Sequence, residues 1–162
     1  MKNIKTISLS ILILGVFGFS ACNKAILHSR DREMEPVSKI YNVSSEEAFK
    51  TTKEILIQLG YKIDRDDPAD GTLVTGWQST KAGSHYVDLF DHKDYGTVGA
   101  YYRLKVHVTE EGGKAKVEIS APVRSIIGRL HSAHSEENKV LSRLADHVRR
   151  EDFEMTNVGV TE

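Results

Sequence analysis

The sequence predicts an α+β fold: a two-layer sandwich in which an antiparallel sheet of four to five strands carries two helices on one face. Two amphipathic helical stripes and one strongly alternating hairpin are the observations behind this prediction. Packing both helices against the apolar face of the sheet buries all of these apolar surfaces together. A chain of 162 residues is sufficient for a single domain of this kind.

The first helix is predicted to follow a strand at residues 37–43. Ser44 with Glu47 three positions later is a capping-box pattern, which satisfies the free amides at a helix start. Gly60 is predicted to end the helix, because glycine adopts a left-handed backbone at little cost. The apolar stripe between these two points consists of Ala48, Phe49, Thr52, Ile55, Leu56 and Leu59.

Two further strands are predicted on either side of an acidic turn. Tyr61, Ile63 and Arg65 alternate with polar neighbours, which indicates a second strand, and residues 72–78 resume as a third. Residues 67–71 read Asp-Pro-Ala-Asp-Gly, a composition typical of a turn. The segment that follows, residues 79–96, is predicted to be a long loop.

Residues 100–109 and 114–123 form the clearest hairpin in the chain. Apolar side chains occupy every second position on both arms: Tyr102, Leu104, Val106 and Val108, then Ala115, Val117, Ile119 and Ala121. A loop of Gly112-Gly113, or of residues 110–113, pairs apolar residues with apolar ones. A three-residue loop would put them on opposite faces and is therefore excluded.

The last third of the domain is predicted to hold one more helix. Residues 124–133 fit a loop or an irregular edge, after which Ser135 fits a helix cap. Acidic residues in the first turn and arginines near the end suit the helix dipole. The stripe consists of Val140, Leu141, Leu144, Ala145 and Val148. The domain is predicted to span residues 37–153, with residues 154–162 as a tail.

Residues 44–77 contain a helix, a strand and an acidic turn in a distinctive order. A capped helix ends in the step Gly60-Tyr61, a strand and an acidic Asp-Pro turn follow, and Gly71 leads into the next strand. In this order the stretch resembles the repeated domain of BamC, a lipoprotein of the outer-membrane β-barrel assembly machinery, and of related small lipoproteins. The resemblance spans residues 37–148 and implies the same fold. BamC carries two such domains, whereas this chain has room for one.

The N-terminal segment is typical of an export signal. Lys2 and Lys5 precede an apolar run at residues 7–19, which is too short to span a bilayer. Phe19-Ser20-Ala21-Cys22 resembles the lipobox of bacterial lipoproteins, although phenylalanine replaces the usual leucine. This resemblance implies cleavage after residue 21 and a lipid, diacylglyceryl and palmitate, on Cys22. Lipidation also accounts for the chain's single cysteine, which has no disulfide partner.

The predicted mature chain is therefore held at a membrane through Cys22, with residues 22–36 as a lipidated tether. Asn23 is compatible with sorting to the outer membrane, facing the periplasm, under the rule known for some Gram-negative bacteria. Removal of two lysines leaves 20 Lys and Arg against 23 Asp and Glu, a formal charge near −3. This balance does not favour a nucleic-acid partner.

The segment 79–96 is the main candidate for ligand chemistry. His85, Asp88, Asp91 and His92 are residue types that bind zinc, although their spacing matches no known motif. A solvated acidic loop is the preferred interpretation of these residues, and we predict no resident metal or cofactor. The chain also lacks a Gly-x-Ser-x-Gly elbow, so nothing favours nucleophilic catalysis.

Two functions remain open at this point. The leading hypothesis is a non-catalytic envelope lipoprotein that binds another envelope protein through a loop or through the outer face of its sheet, where Arg103, Lys105 and His107 are predicted to lie. The alternative is a lipoprotein that binds a small ligand or a metal through residues 79–96.

Overall fold

The computed structural model describes residues 30–95 and 99–156 and confirms the α+β fold: an antiparallel sheet of five strands carries two helices. Two smaller antiparallel sheets adjoin it. In chain order the elements are β1 (Arg30–Arg32), β2 (Val37–Tyr41), α1 (Ser45–Gln58), β3 (Ile63–Asp67), β4 (Thr72–Thr75), β5 (Gln78–Ser79), β6 (His85–Leu89), β7 (His92–Asp94), β8 (Tyr101–Tyr102), β9 (Lys105–Glu111), β10 (Lys114–Ser120), β11 (Val123–Ser125), β12 (Leu130–Ser132) and α2 (Ser135–Thr156).

The five-stranded sheet has the strand order β2-β10-β9-β4-β3. Its central hairpin has the predicted register: Lys114 pairs with Glu111 around the turn Gly112-Gly113, and Val117 lies opposite Val108. The apolar face of β9 and β10 is buried, because alternate side chains point to opposite sides of a sheet.

Helix α1 begins and ends where the sequence predicts. The Ser44 Oγ accepts a hydrogen bond from the Glu47 amide at 3.1 Å, and Gly60 has the left-handed φ of 84°. Five of the six residues of the predicted stripe are buried, and Leu59 packs against the core. The local signals of this segment therefore agree with the packing that the fold requires.

Both helices pack on one face of the five-stranded sheet. Helix α1 contacts β9, β10 and β3, helix α2 contacts β2 and β10, and the helices contact each other. The Tyr41 hydroxyl donates to the Leu141 carbonyl at 2.7 Å and so ties the edge strand to α2. The opposite face of the sheet is left half-exposed.

A four-stranded sheet of order β1-β11-β8-β5 adjoins the five-stranded sheet. Three strands of the larger sheet, β4, β9 and β10, are continuous in the chain with β5, β8 and β11 of the smaller one. The interruptions lie at residues 76–77, 103–104 and 121–122, so they occur at the same level in the three strands. Pro122 contributes to the break because it has no amide to donate. Leu104 turns inward instead, and its amide donates to the Thr75 Oγ1 at 2.8 Å.

The prediction of a long loop at residues 79–96 is wrong. Strands β6 and β7 form a hairpin there, and β12 pairs with β6 to complete a three-stranded sheet of order β12-β6-β7. The sequence pattern is obscured because polar residues occupy both faces of β7, which is exposed throughout. Residues 124–133, predicted as a loop or irregular edge, contain β11 and β12.

The two ends of the domain also differ from expectation. Arg30–Arg32, within the predicted tether, form strand β1 and pair with β11. Helix α2 begins at Ser135, so this residue is not the cap. The carbonyl of His134, which has φ of 57°, accepts from the Asn138 amide instead. The helix continues to Thr156, into the predicted tail.

Candidate functional site

The half-exposed face of the five-stranded sheet holds two of the three predicted contact residues. Lys105 is half-buried and His107 is exposed on this face of β9, because their neighbours Val106 and Val108 point into the core. The register extends the surface across all five strands, through Ser38, Ile40, Arg65, Asp67, Thr72, Val74, Thr109, Lys116, Glu118 and Ser120.

Charged side chains on this face are paired with one another. Lys105 contacts Glu33, and the Lys116 Nζ lies 2.9 Å from the Glu118 Oε1. The hydrogen bond with Glu118 raises the pKa of Lys116. The His107 Nδ1 lies 3.3 Å from the Thr72 Oγ1. The face therefore presents both charge signs at close spacing, which suits a partner of mixed charge.

The predicted contact residue Arg103 lies at the bend between the two sheets. Its guanidinium carbon is 4.6 Å from the ring centroid of Trp77, and that of Arg124 is 4.4 Å from the same centroid. The Arg103 Nε is buried and has no hydrogen-bond partner within the described part of the chain. Trp77 is thus held by two cations, an arrangement that stabilises both the ring and the guanidinium groups.

Strand β1 closes this corner through a bidentate ion pair. The Arg124 Nε and Nη2 donate to the two carboxylate oxygens of Asp31 at 2.7 and 3.1 Å. This hydrogen bonding holds the pKa of Asp31 below its usual value and raises that of Arg124. Sequence reasoning missed Asp31 and Arg124 because the first was assigned to a tether and the second to an irregular segment.

The four candidate metal-binding residues do not come together. His85 and Asp88 lie on opposite faces of β6, because their odd spacing places them on alternate sides of the strand. His85 is 1% exposed, whereas Asp91 and His92 are exposed at and beside the hairpin turn. Within residues 30–95 and 99–156 no group of three or more His, Cys, Asp or Glu side chains is arranged to hold a metal.

His85 instead packs in the interior beside Tyr102. The two ring centroids are 5.2 Å apart, and the His85 Nδ1 lies 2.9 Å from the Ser84 Oγ. Burial lowers the pKa of His85 to about 4. The imidazole is therefore neutral near pH 7, and it acts as a packed aromatic group of the core.

A buried network of hydrogen bonds surrounds Tyr102 and was not predicted from the sequence. The Tyr61 hydroxyl donates to the Glu136 Oε2 at 2.6 Å, so the Tyr102 hydroxyl, 3.0 Å away, donates to Tyr61. The Lys81 Nζ lies 3.5 Å from the same Glu136 oxygen. Burial opposes ionisation of Glu136, yet the Tyr61 hydrogen bond and the Lys81 charge bring its pKa below the usual value.

A second buried acid lies at the start of α2. The Glu137 side chain is 1% exposed, and its Oε1 accepts from the Ser132 hydroxyl at 2.7 Å and lies 3.2 Å from the His134 Nδ1. Both acids occupy the first helical turn, where the helix dipole favours negative charge. The two acids thus join α2 to β12 and to the Tyr61–Tyr102 pair.

Cys22, the predicted lipidation residue, lies outside the described residues. Helices of the described part of the chain are too polar or too short to cross a bilayer.

Comparison with known proteins gives no functional assignment. No protein-family model and no curated protein matches this sequence. The fold is similar to that of a solved structure titled "Crystal structure of Ara h 8.0201", at 11% sequence identity and a TM-score of 0.40. The match covers 75% of this chain and 99% of the other.

Proposed function

We propose that this protein is a lipid-anchored, non-catalytic component of the bacterial cell envelope that binds another envelope protein through the exposed face of its sheet. The lipid is carried by Cys22, and the domain faces the periplasm at the outer membrane. The BamC-like order of elements is consistent with this proposal. The single observation that supports the binding role is the sheet surface that both helices leave uncovered.

The chemistry of this surface suits protein recognition. Interfaces are enriched in Trp, Tyr and Arg, and such residues carry much of the binding energy where they are well packed. Trp77, Arg103 and Arg124 form a preorganised group at the bend, and Tyr101 beside them is 38% exposed. Because the ring is already held by two guanidinium groups, little side-chain entropy is lost when a partner packs on it.

The non-catalytic part of the proposal is supported by the partners of the two buried acids. Glu136 accepts from Tyr61 and is paired with Lys81, and Glu137 accepts from Ser132. These groups satisfy one another inside the domain, as buried polar groups in stable cores do. The network therefore supports a structural role between α2 and the smaller sheets.

Site-specific photocrosslinking in intact cells tests the binding role. A photoreactive amino acid at His107 probes the sheet face, and one at Ile57, which is 55% exposed on α1, is the matched control. We expect a discrete protein adduct from position 107 and none from position 57. Membrane-bound, folded protein without a specific adduct from position 107 contradicts the proposed binding face.

The lipid anchor is tested separately by Cys22→Ala. We expect the variant to lose labelling by a fatty-acid probe and to move from the membrane fraction to the soluble fraction, since acyl chains supply the membrane affinity. Cys22→Ser, which keeps the residue polar and small, should behave identically. Unchanged labelling and fractionation in both variants would overturn the assigned anchor.

A further inference from the structure

The turn of the β6–β7 hairpin exposes a large apolar side chain. Phe90 and Asp91 connect Leu89 to His92, which pair with each other, and their φ angles are 48° and 64°. Such turns favour Asn, Asp and Gly, because a left-handed backbone is sterically costly for other residues. Phe90 nevertheless occupies the first position and is 96% exposed. The domain thus presents a phenylalanine to its surroundings at a conformational cost.

A second exposed apolar residue lies in the connection between β11 and β12. Leu130 pairs with Val87 in the antiparallel register of β12 and β6. The connection that precedes Leu130 therefore leaves β12 at the end where β6 runs into the Phe90 turn. Ile126 belongs to this connection and is 65% exposed.

The chain also reaches the domain beside this connection. Arg30, the first described residue, pairs with Ser125, directly before Ile126. Cys22 is eight positions earlier in the sequence. Eight residues span at most roughly 28 Å, so a lipid on Cys22 keeps this end of the domain within that distance of the membrane.

Amphipathic side chains lie behind the turn. The Lys93 Nζ is 4.6 Å from the ring centroid of Tyr86, and the ring of Tyr95, 45% exposed, is 5.4 Å from the same ring. Tyrosine and lysine are typical of the headgroup level of a bilayer, where an apolar body and a polar end are both accommodated.

We propose that Phe90 and Ile126, with Tyr95 and Lys93 behind them, form a membrane-contact tip that inserts Phe90 among the lipids. The assignment rests on the proposed lipid anchor, which keeps Arg30, and with it the β11–β12 connection, close to the bilayer. The tip carries acidic as well as basic groups, with Asp91 next to Phe90. Its contact therefore depends on apolar insertion and requires no anionic lipid.

Tryptophan fluorescence in vesicles tests this tip. The full chain is purified from bacterial membranes and reconstituted into phosphatidylcholine vesicles that contain acyl-chain-brominated phosphatidylcholine. Trp77, the chain's only tryptophan, gives the baseline. We expect the emission added by Phe90→Trp to fall roughly twofold on bromination, since interfacial groups sit about 5–10 Å deep. The emission added by Ile57→Trp, a matched exposed position on α1, should not change.

Three results would overturn the membrane-contact tip. Equal quenching of the two variants would show that Phe90 has no preferred access to lipid. Quenching that appears only with added phosphatidylglycerol would show that attraction to anionic lipid, and not apolar insertion, causes the contact. If the tryptophan at position 90 is shielded from its surroundings only when other membrane proteins are present in the vesicles, the tip contacts a protein partner and not lipid.

Intact mass measurement on the same preparation separates this inference from the proposed function. An unmodified Cys22 would contradict the lipid anchor, and the tip is then decided by a separate measurement. The tip is then measured on chain coupled through Cys22, the only cysteine, to a maleimide-bearing lipid in the same vesicles. Quenching at position 90 in that arrangement supports the tip without natural acylation, and its absence overturns it.

Discussion

The five-stranded sheet is joined to its helices by apolar side chains, whereas the two smaller sheets are packed around buried hydrogen-bonding groups. In the first region Val106, Val117 and Ile119 are almost fully buried and touch other apolar residues. In the second, Tyr102, His85 and Glu136 are buried together. Apolar packing requires only shape and volume, but a buried polar group is stable only with a matched partner. The two regions should therefore respond differently to substitution and to pH.

The largest expected effect is on backbone packing in the apolar region. A Cβ at Gly71 would lie 2.2 Å from the Val108 carbonyl oxygen, whereas one at Gly112 would meet nothing within 4 Å. Their φ angles, 63° and 61°, are nearly equal. We expect Gly71→Ala to lower the free energy of unfolding by about 2 kcal/mol more than Gly112→Ala, because of the clash alone. Urea unfolding measures the free energy of unfolding of both variants. Equal losses would show that the backbone at Gly71 and the Val108 carbonyl move apart at little cost.

This contrast also explains which parts of the fold the sequence predicts. In α1 and the β9–β10 hairpin, caps, turn residues and apolar period all indicate one structure, and each signal is local. The strands β6, β7 and β12 are short and polar, and they are held by contacts between distant residues such as Ser132 and His85. A distant partner leaves no periodic mark on the sequence, so this region was predicted as loop.

Only part of the candidate site can be predicted from local sequence patterns. Lys105 and His107 are predicted on the outer face from alternation alone, and they lie there. The Trp77–Arg103–Arg124 group depends on three strands bending at one level, which no local pattern records. His85 shows the limit of local pattern, because a histidine of a segment predicted as a solvated loop lies in the core beside Tyr102.

The pH dependence of stability should come largely from the polar region. His85 has a pKa of about 4 in the folded domain against the ordinary 6.5, so folding favours its neutral form. Stability is therefore lost as pH falls below 6.5, by about 1.4 kcal/mol per pH unit until the folded pKa is reached. Urea midpoints between pH 6.5 and 5 measure this loss before most carboxylates titrate.

Substitution identifies the group responsible. His85→Phe keeps an aromatic ring beside Tyr102. It should reduce the slope of the free energy of unfolding against pH in this window by the amount that corresponds to about one bound proton. An unaltered slope in His85→Phe would mean that the imidazole gains water on protonation and is not confined as its burial indicates.

A smaller effect should distinguish two hydroxyl groups within the same network. Tyr61→Phe removes two hydrogen bonds, one to the Glu136 carboxylate and one from the Tyr102 hydroxyl, whereas Tyr102→Phe removes only the second. Hydrogen bonds to charged groups are stronger, so Tyr61→Phe should cost about 1 kcal/mol more. Thermal and urea unfolding compare the pair. Equal losses in the two variants would place the critical contact on the tyrosine pair and not on the acid.

The smallest effect concerns strand β1, which belongs to the polar region by its pairing but lies at its edge. Asp31→Asn removes the charge from a half-exposed ion pair with Arg124, and such pairs contribute less than about 1 kcal/mol. Global stability should hardly change, while amide exchange of β1 and β11 should accelerate and depend less on salt, because the bidentate pair holds the strand locally. Glu33→Gln, which discharges the contact with Lys105 on the neighbouring sheet, is the matched control. If amide exchange of β1 is the same in both variants, β1 is held by its backbone hydrogen bonds. The region stabilised by polar side chains then includes β11 but not β1.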